Sequence, residues 1–148
     1  MRIPHDSYVL VADGAKLLFF RNEGDADRLD LKVVAAEQQP DPKDGDIKTD
    51  QAGQKPGSPG MGGGSSAGET DFHQQAEDRF AAEAADRINR AALAGTFERL
   101  VIVAPPKTLG ELRKHYHKQV ESRIIAEIPK DLTSHPVNKI EAALLAHE

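Results

Sequence analysis

The chain has 148 residues, a net charge of -5 and a pI of about 5.7, enough for one domain with its own core. That charge balance excludes the broad positive field behind non-specific nucleic-acid binding, so any RNA contact must come from a local patch. There is no cysteine, which excludes disulfides, thiolate nucleophiles and Cys-ligated zinc. No segment approaches the roughly 20 apolar residues of a membrane span, and the opening MRIPHDSYVLVADG lacks the apolar run of a signal peptide, so a cytoplasmic location is expected.

Two apolar runs, 8–12 and 16–21, flank Asp13-Gly14. An Asp-Gly pair between strands predicts a type I′ hairpin, whose two central positions need positive φ. Leu29, Leu31 and Val33 then alternate with Asp30 and Lys32, the pattern of a half-buried third strand. From about 38 to 70 the pattern vanishes. Seven glycines and two prolines fall within residues 53–68, a composition that predicts a flexible loop inside one domain spanning 1–148.

Asp71 reads as an N-cap with Gln74 three residues on. Ala76, Phe80, Ala84, Ile88 and Ala91 form one helical stripe, and Gly95 is a C-terminal stop. RLVIVAPP is the unbroken apolar run of a strand covered on both faces. A second helix is expected over 108–121, with Leu109, Leu112, Tyr116 and Val120 inward. RIIAEIPKDL gives a further strand. Ser134 is expected to cap a last helix with Pro136 in its first turn and Val137, Ile140 and Leu144 as its stripe. The order β-β-β-α-β-α-β-α predicts a single-domain α/β protein, a mixed sheet with helices on both faces in a ribonuclease-H-like layout.

Little in this layout suggests built-in chemistry. A two-metal nuclease needs converging carboxylates; Asp13 ends the first strand, but it is accounted for as a turn residue, and LVIVAPP supplies no acid. His115 and His117 are two apart and point different ways on a helix, so they do not chelate, and His73 and His135 read as local hydrogen-bonding groups near helix starts. GMGGGSS lacks the Lys-Ser/Thr end of a phosphate loop. No metal or cofactor is expected. One charge feature remains: Lys107, Arg113, Lys114, Lys118 and Arg123 outnumber Glu111 and Glu121, a local basic excess after the carboxyl end of a central strand. Such a position suits an anion, phosphate or RNA.

The segments YVLVADGAKLLFFR, DRFAAEAADRI, LVIVAPPKTLGELR and IPKDLTSHPVNKIEAAL resemble the bacterial host attachment proteins, nearly end to end. That family is in turn similar to the central domain of archaeal and eukaryotic peptide-chain release factors, with the same meander-then-alternating layout and a long helix opening with Arg-Phe-Ala, here Arg79-Phe80-Ala81. In release factors the loop before that helix carries Gly-Gly-Gln, which enters the peptidyl-transferase centre. The resemblance therefore directs attention to Gly53 and Gln54 and to Gly62, Gly63 and Gly64, although neither group is the full tripeptide and basic residues are sparse around both. The expectation is a non-catalytic domain that binds RNA or the translation machinery, with the ribosome or tRNA as partner. The alternatives are a peptidyl-tRNA or related ester hydrolase using Gln54, and a protein-interaction module in host attachment or envelope functions.

Overall fold

The computed structural model describes residues 1–39 and 66–148. Five strands, β1 (Tyr8–Ala12), β2 (Lys16–Asn22), β3 (Leu31–Gln38), β4 (Leu100–Val103) and β5 (Ile124–Ile128), form one sheet in the order β3-β2-β1-β4-β5. β2 runs antiparallel to both β1 and β3, while β4 is parallel to β1 and β5 parallel to β4. Four strands thus end on the same edge of the sheet. The helices are α1 (Ser66–Leu93), α2 (Pro106–Arg113), α3 (Lys118–Glu121) and α4 (Val137–Ala146). This is the mixed-sheet, ribonuclease-H-like α/β architecture expected, with one short helix added.

Alternation along the central strands divides the core in two. Leu10 and Ala12 of β1, with Leu100 and Ile102 of β4, face α1, α2 and α3 through Phe80, Ala84, Ile88, Leu109, Leu112 and Val120. Val9, Val11, Val101 and Val103 face the other way, onto Ile3, Leu132, Ile140 and Leu144. Both faces of β1 and β4 are buried, which is why their sequences read as continuous apolar runs.

Several local expectations are corrected. The β1–β2 turn is not type I′, because Gly14 does not have positive φ; among the described residues Gly95 is the glycine that does, at 76°. Asp13 builds the turn instead, its Oδ1 accepting from the backbone N–H groups of Ala15 and Lys16 at 2.8 and 2.7 Å. Gly14 is needed for a different reason: a Cβ there would lie 2.6 Å from Cγ of Glu77, so its absence lets α1 approach the turn.

α1 begins at Ser66, so Asp71 lies inside the helix rather than capping it. A capping residue permits a helix to start but does not forbid it from starting earlier. At the other end Gly95 acts as expected, with Thr96 N–H donating to Ala91 O and Gly95 N–H to Ala92 O, both at 2.9 Å, the paired bonds of a Schellman close. The expected helix over 108–121 is divided into α2 and α3. Asn89 of α1 satisfies the break from both sides, donating to His115 O and accepting from His117 N–H, each at 2.8 Å. His117 then caps α3, its Nδ1 accepting from Gln119 N–H. Ser134 does not cap α4; Pro136 occupies that place without a side-chain bond. In β3 the extra residue Val34 makes a bulge opposite Phe19/Phe20; before it, Leu31 is buried while Val33, two positions on in the same register, is 56% exposed.

Candidate functional site

Open α/β sheets receive ligands outside the carboxyl ends of their strands, and here that edge carries a crevice of about 310 Å³ between the β1–β2 turn, α1, the start of α2 and the segment after β5. Asp13, Glu77, Lys107, Thr108 and Asp131 line it. Three of these are placed by local structure: Asp13 by its turn, Glu77 by the close approach of α1 to Gly14, and Lys107 by Pro105-Pro106, which turn β4 into α2.

At its base Thr133, 5% exposed, has Oγ1 2.8 Å from Asp13 Oδ2 and 2.9 Å from Asp131 Oδ1. Thr133 shares its single hydroxyl proton between Asp13 Oδ2 and Asp131 Oδ1, which links the β1–β2 turn to the segment beyond β5. Lys107 Nζ donates to Gln74 Oε1 at 3.0 Å, and Gln74 Nε2 donates to Asp78 Oδ1 at 2.8 Å, joining α2 to α1 along the rim. Three carboxylates against one ammonium make the crevice itself unfavourable for a polyanion. Among the described residues no three His, Asp or Glu side chains converge as a metal ligand set.

The five sequence-predicted cations do not converge. Lys107 sits on the crevice rim. Arg123 is committed elsewhere: its NH1 donates to Ala92 O at 2.7 Å and Phe97 O at 3.0 Å, completing the end of α1, and its NH2 to Gln119 Oε1. Arg113 forms a forked pair of bonds from Nε and NH2 to Glu127 Oε1, and Lys114 pairs with Glu111 at 2.6 Å. Those carboxylates hold both cations more strongly protonated than usual. Arg113, Lys114 and Lys118 are exposed at the junction of α2 and α3, with Arg113 drawn toward β5 and Lys114 back along α2. Sequence reading missed Asn89 and Thr133 and gave Gln74 a capping role in place of its bond to Lys107; all three roles come from contacts 26 to 120 positions away.

Gly53, Gln54, Gly62, Gly63 and Gly64 lie outside the described residues. Of the chain on either side of that stretch, β3 ends at the carboxyl edge, with Gln39 N–H donating to Ala15 O of the β1–β2 turn at 2.7 Å, and α1 passes the same edge at Gln74, eight residues inside the helix, where Gln74 contacts Lys107.

Over residues 6–144 the chain matches bacterial archaeo-eukaryotic release factor family 12. It belongs to that family. Among solved structures, the family 12 chain is similar to an archaeal translation termination factor, aRF1, with a TM-score of 0.49 and 10% identity; the match covers 95% of this chain and 35% of that one. No curated protein matches the family 12 chain by sequence. None of its described helices is long and apolar enough to cross a membrane.

Proposed function

We propose that this family 12 domain is a non-catalytic, translation-related module that presents its glycine-rich stretch to RNA or the ribosome and holds phosphate through the α2–α3 turn. The observation that carries this reading is that β3 ends on Ala15 at the carboxyl edge and α1 passes the same edge at Gln74 beside Lys107, so the chain between Gln39 and Gln74 leaves and returns on that side of the sheet. Membership of a release-factor family supports the same direction. Arg113, Lys114 and Lys118 are exposed where α2 gives way to α3; Arg113 and Lys114 keep their partners Glu127 and Glu111, whose side chains are only 22% and 20% exposed, so a phosphate adds to these pairs rather than replacing them.

Co-sedimentation with ribosomes at low salt tests it. The intact chain is expected to co-sediment, and deletion of residues 55–64, which stops short of α1, is expected to abolish this without changing the melting temperature. Absence of association at low salt with ribosomes from every growth phase would remove the reading. The hydrolase alternative rests on Gln54, and only peptidyl-tRNA turnover that Gln54→Ala abolishes would sustain it. A role in host attachment rests on sequence resemblance alone.

A further inference from the structure

β3 is an edge strand; Lys32 and a bulge interrupt it, but it keeps outward backbone groups on both sides of the bulge. It is eight residues long, and its centre exposes Val33 at 56% and Val34 at 51%. The start of its outer rim is closed, since Leu31 N–H donates to Glu141 Oε2 of α4 at 2.8 Å. The rest, from Val33 to Gln38, meets no other strand among the described residues.

Backbone parity shows which groups are open. Gln39 N–H and Asp30 O both bond toward β2, so residues 37 and 35 on one side of the bulge, and residue 32 on the other, also turn inward. Val33 and Ala36 therefore turn their N–H and C=O groups outward. The strand reads Lys32-Val-Val-Ala-Ala-Glu37, basic at one end, acidic at the other and small or β-branched between.

We propose that β3 pairs antiparallel with β3 of a second copy of this chain, the two-fold axis passing between Val34 and Ala35. In this register Val33 lies opposite Ala36 of the other copy, so outward groups meet outward groups. Lys32 of each copy lies opposite Glu37 of the other, and the bulges stand at symmetric places. The charge order makes the strand complementary to itself only when antiparallel; a parallel partner would set like charges side by side. Present partners yield readily. Lys32 pairs with Asp30 at 3.4 Å on an exposed surface, and Glu37 can keep Arg87 while accepting a second cation. The contact is short, so association is reversible and weak, at roughly 10–100 µM chain.

Light scattering after size exclusion, run on the full chain over a concentration series, tests the proposal. A mass rising from one chain to two is expected. Lys32→Glu should weaken the dimer roughly tenfold, because the symmetry counts each like-charge contact twice. Combining Lys32→Glu with Glu37→Lys should restore association. Val33→Lys, on an exposed side chain, should abolish it while circular dichroism melting stays unchanged. A chain that stays monomeric up to about 1 mM, a dimer indifferent to Val33→Lys, or a double variant no better than Lys32→Glu alone overturns the proposal. So does a monomer that takes up only an unrelated strand peptide along this edge.

Discussion

Thr133 Oγ1 lies 2.8 Å from Asp13 Oδ2, and this contact fastens the segment after the last strand to the first turn of the sheet. One buried hydroxyl thereby orders the floor of the carboxyl-edge crevice. Thr133→Val keeps the shape but removes the donor from a partly buried carboxylate, with an expected loss of about 1–2 kcal/mol in urea unfolding. An unchanged midpoint would mean that Asp13 is fully served by its backbone donors.

Arg123 closes the end of α1 by donating to the carbonyls of Ala92 and Phe97. Arg123→Ala should lower stability by about 1–3 kcal/mol and speed amide exchange in the last turn of α1. Arg123→Lys keeps the charge but not the fork, and should recover less than half of the loss. Equal stability of Lys and Arg variants would show that charge near the helix end, rather than the two bonds, is what matters.

Tyr116 presents the opposite case. Its hydroxyl is buried and has no hydrogen-bond partner among the described residues, and burial pushes the phenol well above its ordinary range. Tyr116→Phe removes an unsatisfied group and is expected to be neutral or stabilising by up to about 1 kcal/mol. Absorbance titration should show one of the two tyrosines ionising only as the chain unfolds in alkali. A clear loss of stability in the Phe variant would reveal a bonded hydroxyl.

Asp6 has φ 67° and receives Nε and NH2 of Arg21 at 2.9 and 2.6 Å. The Arg21 hydrogen bonds, with a smaller contribution from His5, hold its carboxyl below the usual range. A depressed folded pKa stabilises the native state above the unfolded value and ceases to do so as pH falls through the folded one. Asp6→Asn tolerates the same φ, so it isolates the charge. The stability difference between the two proteins should be constant from about pH 5 to 8, begin to shrink as pH falls through the unfolded value of about 4, and vanish only below the lower folded one. A constant difference down to acid pH would assign the effect to backbone geometry instead.

The strands were legible in sequence because burial on both faces writes itself as apolar runs, and the helix stripes because Phe80, Ile88, Leu109, Ile140 and Leu144 recur with helical period. What could not be read depended on distant partners. The break between α2 and α3 exists because Asn89, on another helix, satisfies the chain there. Gly14 looked like a turn residue, yet its role is to make room for Glu77. The cations formed a patch only in sequence: Arg123 was drawn to the end of α1, and Arg113 and Lys114 found carboxylates that spacing does not reveal.

The shared direction of β1, β3, β4 and β5 bears on how such a protein can diversify. Gln39 and Gln74 are both bonded to the body at the carboxyl edge, and the closure entropy of a chain joining two fixed points grows only logarithmically with its length. Lineages can therefore rewrite that stretch, residue by residue or wholesale, while the registers of the sheet and the two cores stay as they are.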